Sequence, residues 1–185
     1  MRPALTAAIL ALSALPLRAD VTDWKMVGTW DISHYSSSEG CLAYAEFANG
    51  TAFFIGFDLS TGDLLLDVTL MNGAWRSIVP GSDYTVQAVF GAETPWELAM
   101  IGEDFDGTPG LMMLVDATSD QAALFIEEFS KTYVMAWRYN GAPLGSFPLA
   151  GSRAAFEEVL ACQRSWTVAA APADPFAAPV TDPFR

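Results

Sequence analysis

The stretch "CLAYAEFANGTAFFIGFDL", residues 41–59, decides the fold. It holds two strand-like runs joined by Asn49-Gly50. Asn-Gly readily supplies the positive φ angles of a type I′ turn, so the stretch predicts a β-hairpin. Its surroundings extend the pattern. Upstream, "GTWDIS" (28–33) alternates Trp30 and Ile32 with polar neighbours, as a half-buried strand does. Downstream, "STGD" (60–63) turns into "LLLDVTLM" (64–71), and Asn72-Gly73 turns into "AWRSIV" (74–79). Pro80-Gly81 breaks the pattern before "TVQAVF" (85–90). Five or six consecutive strands over residues 28–92, with tight turns, predict an antiparallel meander.

The second half mixes elements. "WELAMI" (96–101) and the apolar run "LMMLVDA" (111–117) have strand length, and "GEDFDGTPG" (102–110) reads as a loop from its Gly, Pro and Asp content. "SDQAALFIEEFSK" (119–131) predicts a mid-chain helix. Ser119 can cap it, and Ala122, Phe125, Ile126 and Phe129 share one face. "TYVMAWRY" (132–139) reads as a strand that Asn140-Gly141 turns into "APLGSFPL" (142–149), where two prolines favour an edge or a loop. Gly151-Ser152 then opens a C-terminal helix over 153–163, with Ala155, Val159 and Cys162 on its apolar stripe. The expected fold is mainly β: an antiparallel barrel-like or sandwich sheet with these two helices.

The ends set the compartment. In residues 1–19, Arg2 precedes an apolar run from Ala4 to Leu17, and Ala19 offers a small residue for cleavage, the build of a secretory signal peptide. The run is shorter than the roughly 20 apolar residues a membrane span needs, so no span is expected once it is removed. Residues 20–166 then form a single β-rich domain. Residues 167–185, rich in Ala and Pro, form a disordered tail that carries Asp-Pro-Phe twice, at Asp174–Phe176 and Asp182–Phe184. A stiff proline beside an aromatic can serve as a docking motif, and low-complexity tails also repeat by chance. Without the signal, 7 basic residues face 22 acidic ones, a balance of −15. Such a chain is repelled by phosphate backbones and anionic lipid, so nucleic acid is not an expected partner.

Export also sets the redox state. Cys41 and Cys162 are the only cysteines, and disulfides persist outside the cytoplasm, so a Cys41–Cys162 bridge is expected to pin the last helix to the first hairpin. The competing arrangement is two buried free thiols.

Few residues suit catalysis. His34 is the only histidine; as a general base it would need a nucleophile and an orienting carboxylate, and no G-x-S-x-G elbow accompanies it. Zinc usually draws on several His and Cys ligands. Glu103, Asp104 and Asp106 form an acidic loop without the ligand spacing of an EF-hand. Glu127-Glu128 and Glu157-Glu158 are adjacent pairs that diverge on a helix. No catalytic residue, metal site or cofactor is therefore expected. "NGT" at 49–51 matches a glycosylation sequon and is assigned to the turn. Six tryptophans and twelve phenylalanines suit either a packed core or the lining of an apolar ligand pocket.

"GTWDI", the cysteine on the following strand, the β-rich middle and "PLGSFPLAGSRAAFEEVLAC" (143–162) together resemble the invasion-associated locus B family of small secreted alphaproteobacterial proteins. Leu149, Gly151, Ser152 and Ala155 carry the local match, and the resemblance spans residues 28–163. It implies a periplasmic or surface-associated protein and transfers no catalytic residue. The expected function is a non-enzymatic periplasmic or secreted protein that binds a protein partner or serves envelope maintenance. The alternative is a carrier holding a small apolar ligand in an aromatic-lined barrel.

Overall fold

The computed structural model describes residues 21–170, with side chains as far as Thr167. The signal peptide expected at 1–19 and most of the tail, from 171 onward, lie outside the described residues. Within them the chain forms ten strands and two helices. The strands are β1 (Val21–Val27), β2 (Trp30–Tyr35), β3 (Gly40–Glu46), β4 (Ala52–Asp58), β5 (Leu65–Met71), β6 (Asp83–Phe90), β7 (Trp96–Phe105), β8 (Thr108–Asp116), β9 (Val134–Tyr139) and β10 (Ala142–Pro148). The helices are α1 (Asp120–Lys131) and α2 (Ser152–Ala170). The fold is mainly β, as expected, with one mid-chain and one C-terminal helix.

All ten strands join one antiparallel sheet in the order β1-β2-β3-β4-β5-β8-β7-β6-β9-β10. The sheet does not close into a barrel; β1 and β10 are its edges. The meander is continuous only to β5. Residues 72–82 then pass over the ends of β8 and β7 to start β6, held by bonds from Asn72 N to Pro109 O and from Gly81 N to Gly102 O. The strand expected over 74–79 is therefore a chain of turns. Its apolar residues, Trp75 and Ile78, are three apart rather than two, and successive i→i+3 bonds bring both against the core.

The hairpin turns follow their chemistry. The 41–59 stretch does form a hairpin, β3–β4, but its turn is not type I′. Gly50 N bonds to Phe47 O and Phe47 N to Thr51 O, with Gly50 at φ 75°: a type I turn closed by a left-handed glycine. Asn140-Gly141 is the type I′ turn, with both φ positive, at 48° and 79°. The loop expected over 102–110 is a third tight hairpin. Asp106 and Gly107 (φ 52° and 87°) connect Phe105 directly to Thr108, because Asp-Gly tolerates two positive φ angles as Asn-Gly does.

Alternation along the strands divides the sheet into two faces. The inner face collects Trp30, Ile32, Cys41, Phe53, Ile55, Leu66, Val68, Val86, Phe90 and Trp137, all fully buried. The sheet curls over these side chains: Phe53 on β4 lies 6.3 Å from Trp137 on β9, five places away in strand order. The helices fill the remaining opening. Ser119 caps α1 by accepting from Ala122 N, and Phe125 packs edge-on against Phe90 at 5.0 Å. One turn later Phe129 meets Trp30, Phe53 and Phe156, joining β2, β4 and α2 at one point.

Three contacts hold the C-terminal part of α2. Cys41 and Cys162, 121 positions apart in the chain, form the expected disulfide, with Cα atoms 6.0 Å apart. Gln163 Oε1 accepts the buried Cys41 N–H at 2.8 Å, just beyond the end of the β3–β4 pairing at Leu42↔Gly56. Trp166 stacks on His34 at 3.8 Å. That last contact accounts for the helix outrunning its expected end at 163: the stack anchors Trp166, and α2 continues to Ala169 and Ala170, alanine being the best helix former. Residues 167–170 are therefore helix, not tail.

On the chain-entropy account, a bridge closing a loop of this length stabilises the fold by at most about 5 kcal/mol. Replacing Cys162 with Ser should lower the unfolding free energy in urea by about 2–5 kcal/mol under oxidising conditions. With reductant present, the variant and the parent should unfold at nearly the same urea concentration.

Candidate functional site

The outer face of the sheet, opposite the helices, carries the distinctive surface. Strand register sorts its side chains into rows that cross the strands. One row reads Glu46, Ala52, Met71, Gly110 and Glu103, on β3, β4, β5, β8 and β7. The next reads Asp31, Tyr44, Phe54, Thr69 and Met112, on β2, β3, β4, β5 and β8. Small residues in the first row and aromatic ones in the second leave an open groove of about 440 Å³. Ala52 and Met71 of the first row form its floor. Gly110, next in that row, lies beside the Phe105 ring: a Cβ there would come within 2.7 Å of the Leu70 carbonyl oxygen, 2.8 Å of Phe105 Cε2 and 3.0 Å of Met71 Cγ, so β8 approaches β5 this closely only with glycine there.

The aromatic wall is built from three rings. Tyr44 and Phe54 lie 4.8 Å apart, and Tyr35 meets Phe54 edge-on at 6.2 Å. The opposite rim is braced by Asn72, whose amide donates to Asn49 O at 3.2 Å and to Thr51 Oγ1 at 2.9 Å. The sequon at 49–51 is used up in this brace: Asn49 Nδ2 donates to Leu144 O, and Thr51 is fully buried.

The groove is electronegative. Asp31 and Glu46 line it, and no basic residue does among the described residues. The Tyr44 hydroxyl donates to Glu46 Oε2 at 3.3 Å. Burial first, then the charge of Asp31, pushes the Tyr35 hydroxyl up to about 12. Burial, then the charge of Glu46, raises Tyr44 as well. Lys25, on the neighbouring strand, turns to the helix side and pairs with Glu158 at 2.6 Å.

A second, smaller depression of about 310 Å³ lies where the helices meet, between residues 130–133 and 149–153.

The residues singled out from the sequence fall elsewhere, in structural contacts. His34 lies on the inner face under Trp166, where burial lowers its pKa against the opposing pull of Glu39. Asp104 accepts from Gly107 N within the β7–β8 turn. Glu127 pairs with Lys131, Glu128 accepts from Trp96 Nε1, and Glu158 accepts from Trp24 and Lys25. Among the described residues, no three His, Cys, Asp or Glu side chains gather as metal ligands, and no helix is long and apolar enough to cross a membrane.

Comparison of the chain with protein-family models, curated proteins and solved structures finds no match in any of the three. The groove is thus read from its chemistry alone. Sequence reasoning passed over it because its members belong to five strands. The available signal was parity: in "AFFIGF" Phe54 falls on the solvent side, between inward Phe53 and Ile55.

Beyond the aromatic row lies a buried acid. Asp67, 6 % exposed on β5, accepts from Thr69 Oγ1 at 2.6 Å. Desolvation raises its pKa to about 6; the Thr69 bond opposes this, and the charge of Asp58 adds to it. The folded protein therefore holds a proton that the unfolded chain, titrating near 3.8, has already released. The associated stability is complete below about pH 4 and is lost as pH rises through about 6, amounting to at most about 3 kcal/mol. Asp67→Asn should stabilise the protein at pH 7 by about 1–3 kcal/mol and have little effect at pH 4, as measured by urea unfolding across that range.

Proposed function

We propose that this chain is a non-enzymatic protein of the periplasm or extracellular space that acts by binding a protein partner across the outer face of its sheet, in a role such as envelope maintenance. The observation that carries this reading is the contrast between the two faces. The inner aromatics are in ring-to-ring contact with one another, whereas the outer rings of Tyr35, Tyr44 and Phe54 are only partly buried beside carboxylates. Aromatic residues in a partly exposed groove supply large contact area at little entropic cost, as binding hot spots do. A carrier would need the inner rings to surround a ligand. Export is supported by the disulfide and by the resemblance to the invasion-associated locus B family.

The test is cross-linking in the exported protein from a photoreactive residue at Tyr44, with Leu124 on α1, an exposed position, as control. A discrete protein adduct from position 44 but not 124, lost when Phe54 is changed to Ala, is the expected result. A small molecule retained by the purified protein in native mass spectrometry would instead establish the carrier. Fractionation of the protein with the cytoplasm would overturn the location.

A further inference from the structure

The groove has direction as well as charge. The strand row that carries its floor residues Ala52 and Met71 runs perpendicular to the strands from Glu46 on β3, past Gly110 beside the Phe105 ring, to Glu103 on β7 beyond the groove. Four strand spacings separate the two ends, about 19 Å at the usual spacing of about 4.8 Å. At the Glu46 end, Asp31 and the faces of Tyr44 and Phe54 complete a pocket of π-surface and negative charge. Aromatic faces beside carboxylates attract guanidinium and ammonium groups. No basic side chain of the chain itself lines the groove among the described residues, so its charge is left for a ligand to complement.

We propose that the groove binds an extended basic segment of a partner polypeptide. One cationic side chain sits between Asp31 and Glu46 against Tyr44 and Phe54, and a second, six residues along, reaches Glu103. The spacing follows from geometry. Six residues of extended chain cover about 20 Å, and an even separation points both side chains to the same face. Length also favours a polypeptide over a free amine. An open groove encloses little of a small cation, whereas a segment lying along the row from Glu46 to Glu103 meets both carboxylates at once. The net charge of −13 for the whole chain would speed the encounter with such a partner at low salt.

This inference rests on the partner-binding reading above. It is tested by nuclear magnetic resonance titration of the purified exported protein with a capped heptapeptide, arginine at both ends and alternating glycine and serine between. Shifts should concentrate at Tyr44, Glu46, Phe54 and Glu103, with a Kd on the order of 1 mM at low salt. An isomer with its two arginines adjacent should bind at least about three-fold more weakly. Glu46→Gln and Glu103→Gln should each weaken binding by about three-fold or more, while the double change Asp63→Asn, Glu93→Gln, at exposed acids outside the groove, should not. Equal binding of the two isomers, shifts mapping elsewhere, or equal loss in the control variant would overturn the proposal. If the peptide fails but position 44 still cross-links to a protein, the basic-segment inference falls and the partner reading stands. If both fail, both fall.

Discussion

An open antiparallel sheet has an apolar face that must be taken out of water, and covering it is the constraint on which the rest of this structure depends. Curling brings Phe53 against Trp137 but leaves an opening along the β2–β4 side. Phe129 of α1 fills it against Trp30 and Phe53, and Phe156 of α2 packs on Phe129 and Phe57. Each buried aromatic contributes about 1.5–3 kcal/mol, so this small cluster matters greatly to a fold with a net stability of only about 5–15 kcal/mol. The position of α2 is correspondingly over-determined. A covalent bridge, a buried amide accepting the Cys41 N–H, and the Trp166–His34 stack all hold it in one place.

The sheet's edges are guarded by other means. β1 is bulged at Trp24, and its Lys25 turns inward to Glu158, while β10 carries Pro143 and Pro148 and a bulge between Pro143 and Gly145. Bulges, inward charges and prolines hinder the addition of further strands. With its edges blunted and its inner face filled, the sheet leaves the face opposite the helices as the surface proposed for binding. That face also breaks the usual rules: an acid is buried at Asp67, and aromatic side chains at Tyr44 and Phe54 stand only partly covered. Departures of this kind concentrate where a protein's surface is used.

Much of the local structure was legible, and particular elements show why. Ser119 and the Ala122, Phe125, Phe129 stripe set α1 through interactions within four residues, so the helix could be read directly. Asp106-Gly107 was misread as loop although its dipeptide signals a hairpin as strongly as Asn140-Gly141; the surrounding acids obscured it. Asn72-Gly73 shows the converse: a hairpin dipeptide where no hairpin forms, because β5 takes β8 rather than β6 as its neighbour. β1 escaped notice because its bulge shifts the phase of its alternation midway and because most of its residues are exposed.

Sequence by itself determined the mainly β character, the two helices, the inward residues and the partner of each cysteine, since these follow from short-range periodicity, turn chemistry and the count of two thiols. Tertiary structure alone decided the strand order beyond β5 and, through it, the row that crosses the outer face. Glu46, Met71, Gly110 and Glu103 are far apart in the chain and share a row only because β8 lies beside β5 and β7 beside β8. No local propensity selects which strands become neighbours. That choice follows from burying all the inward side chains beneath two helices at once, a condition on the whole chain.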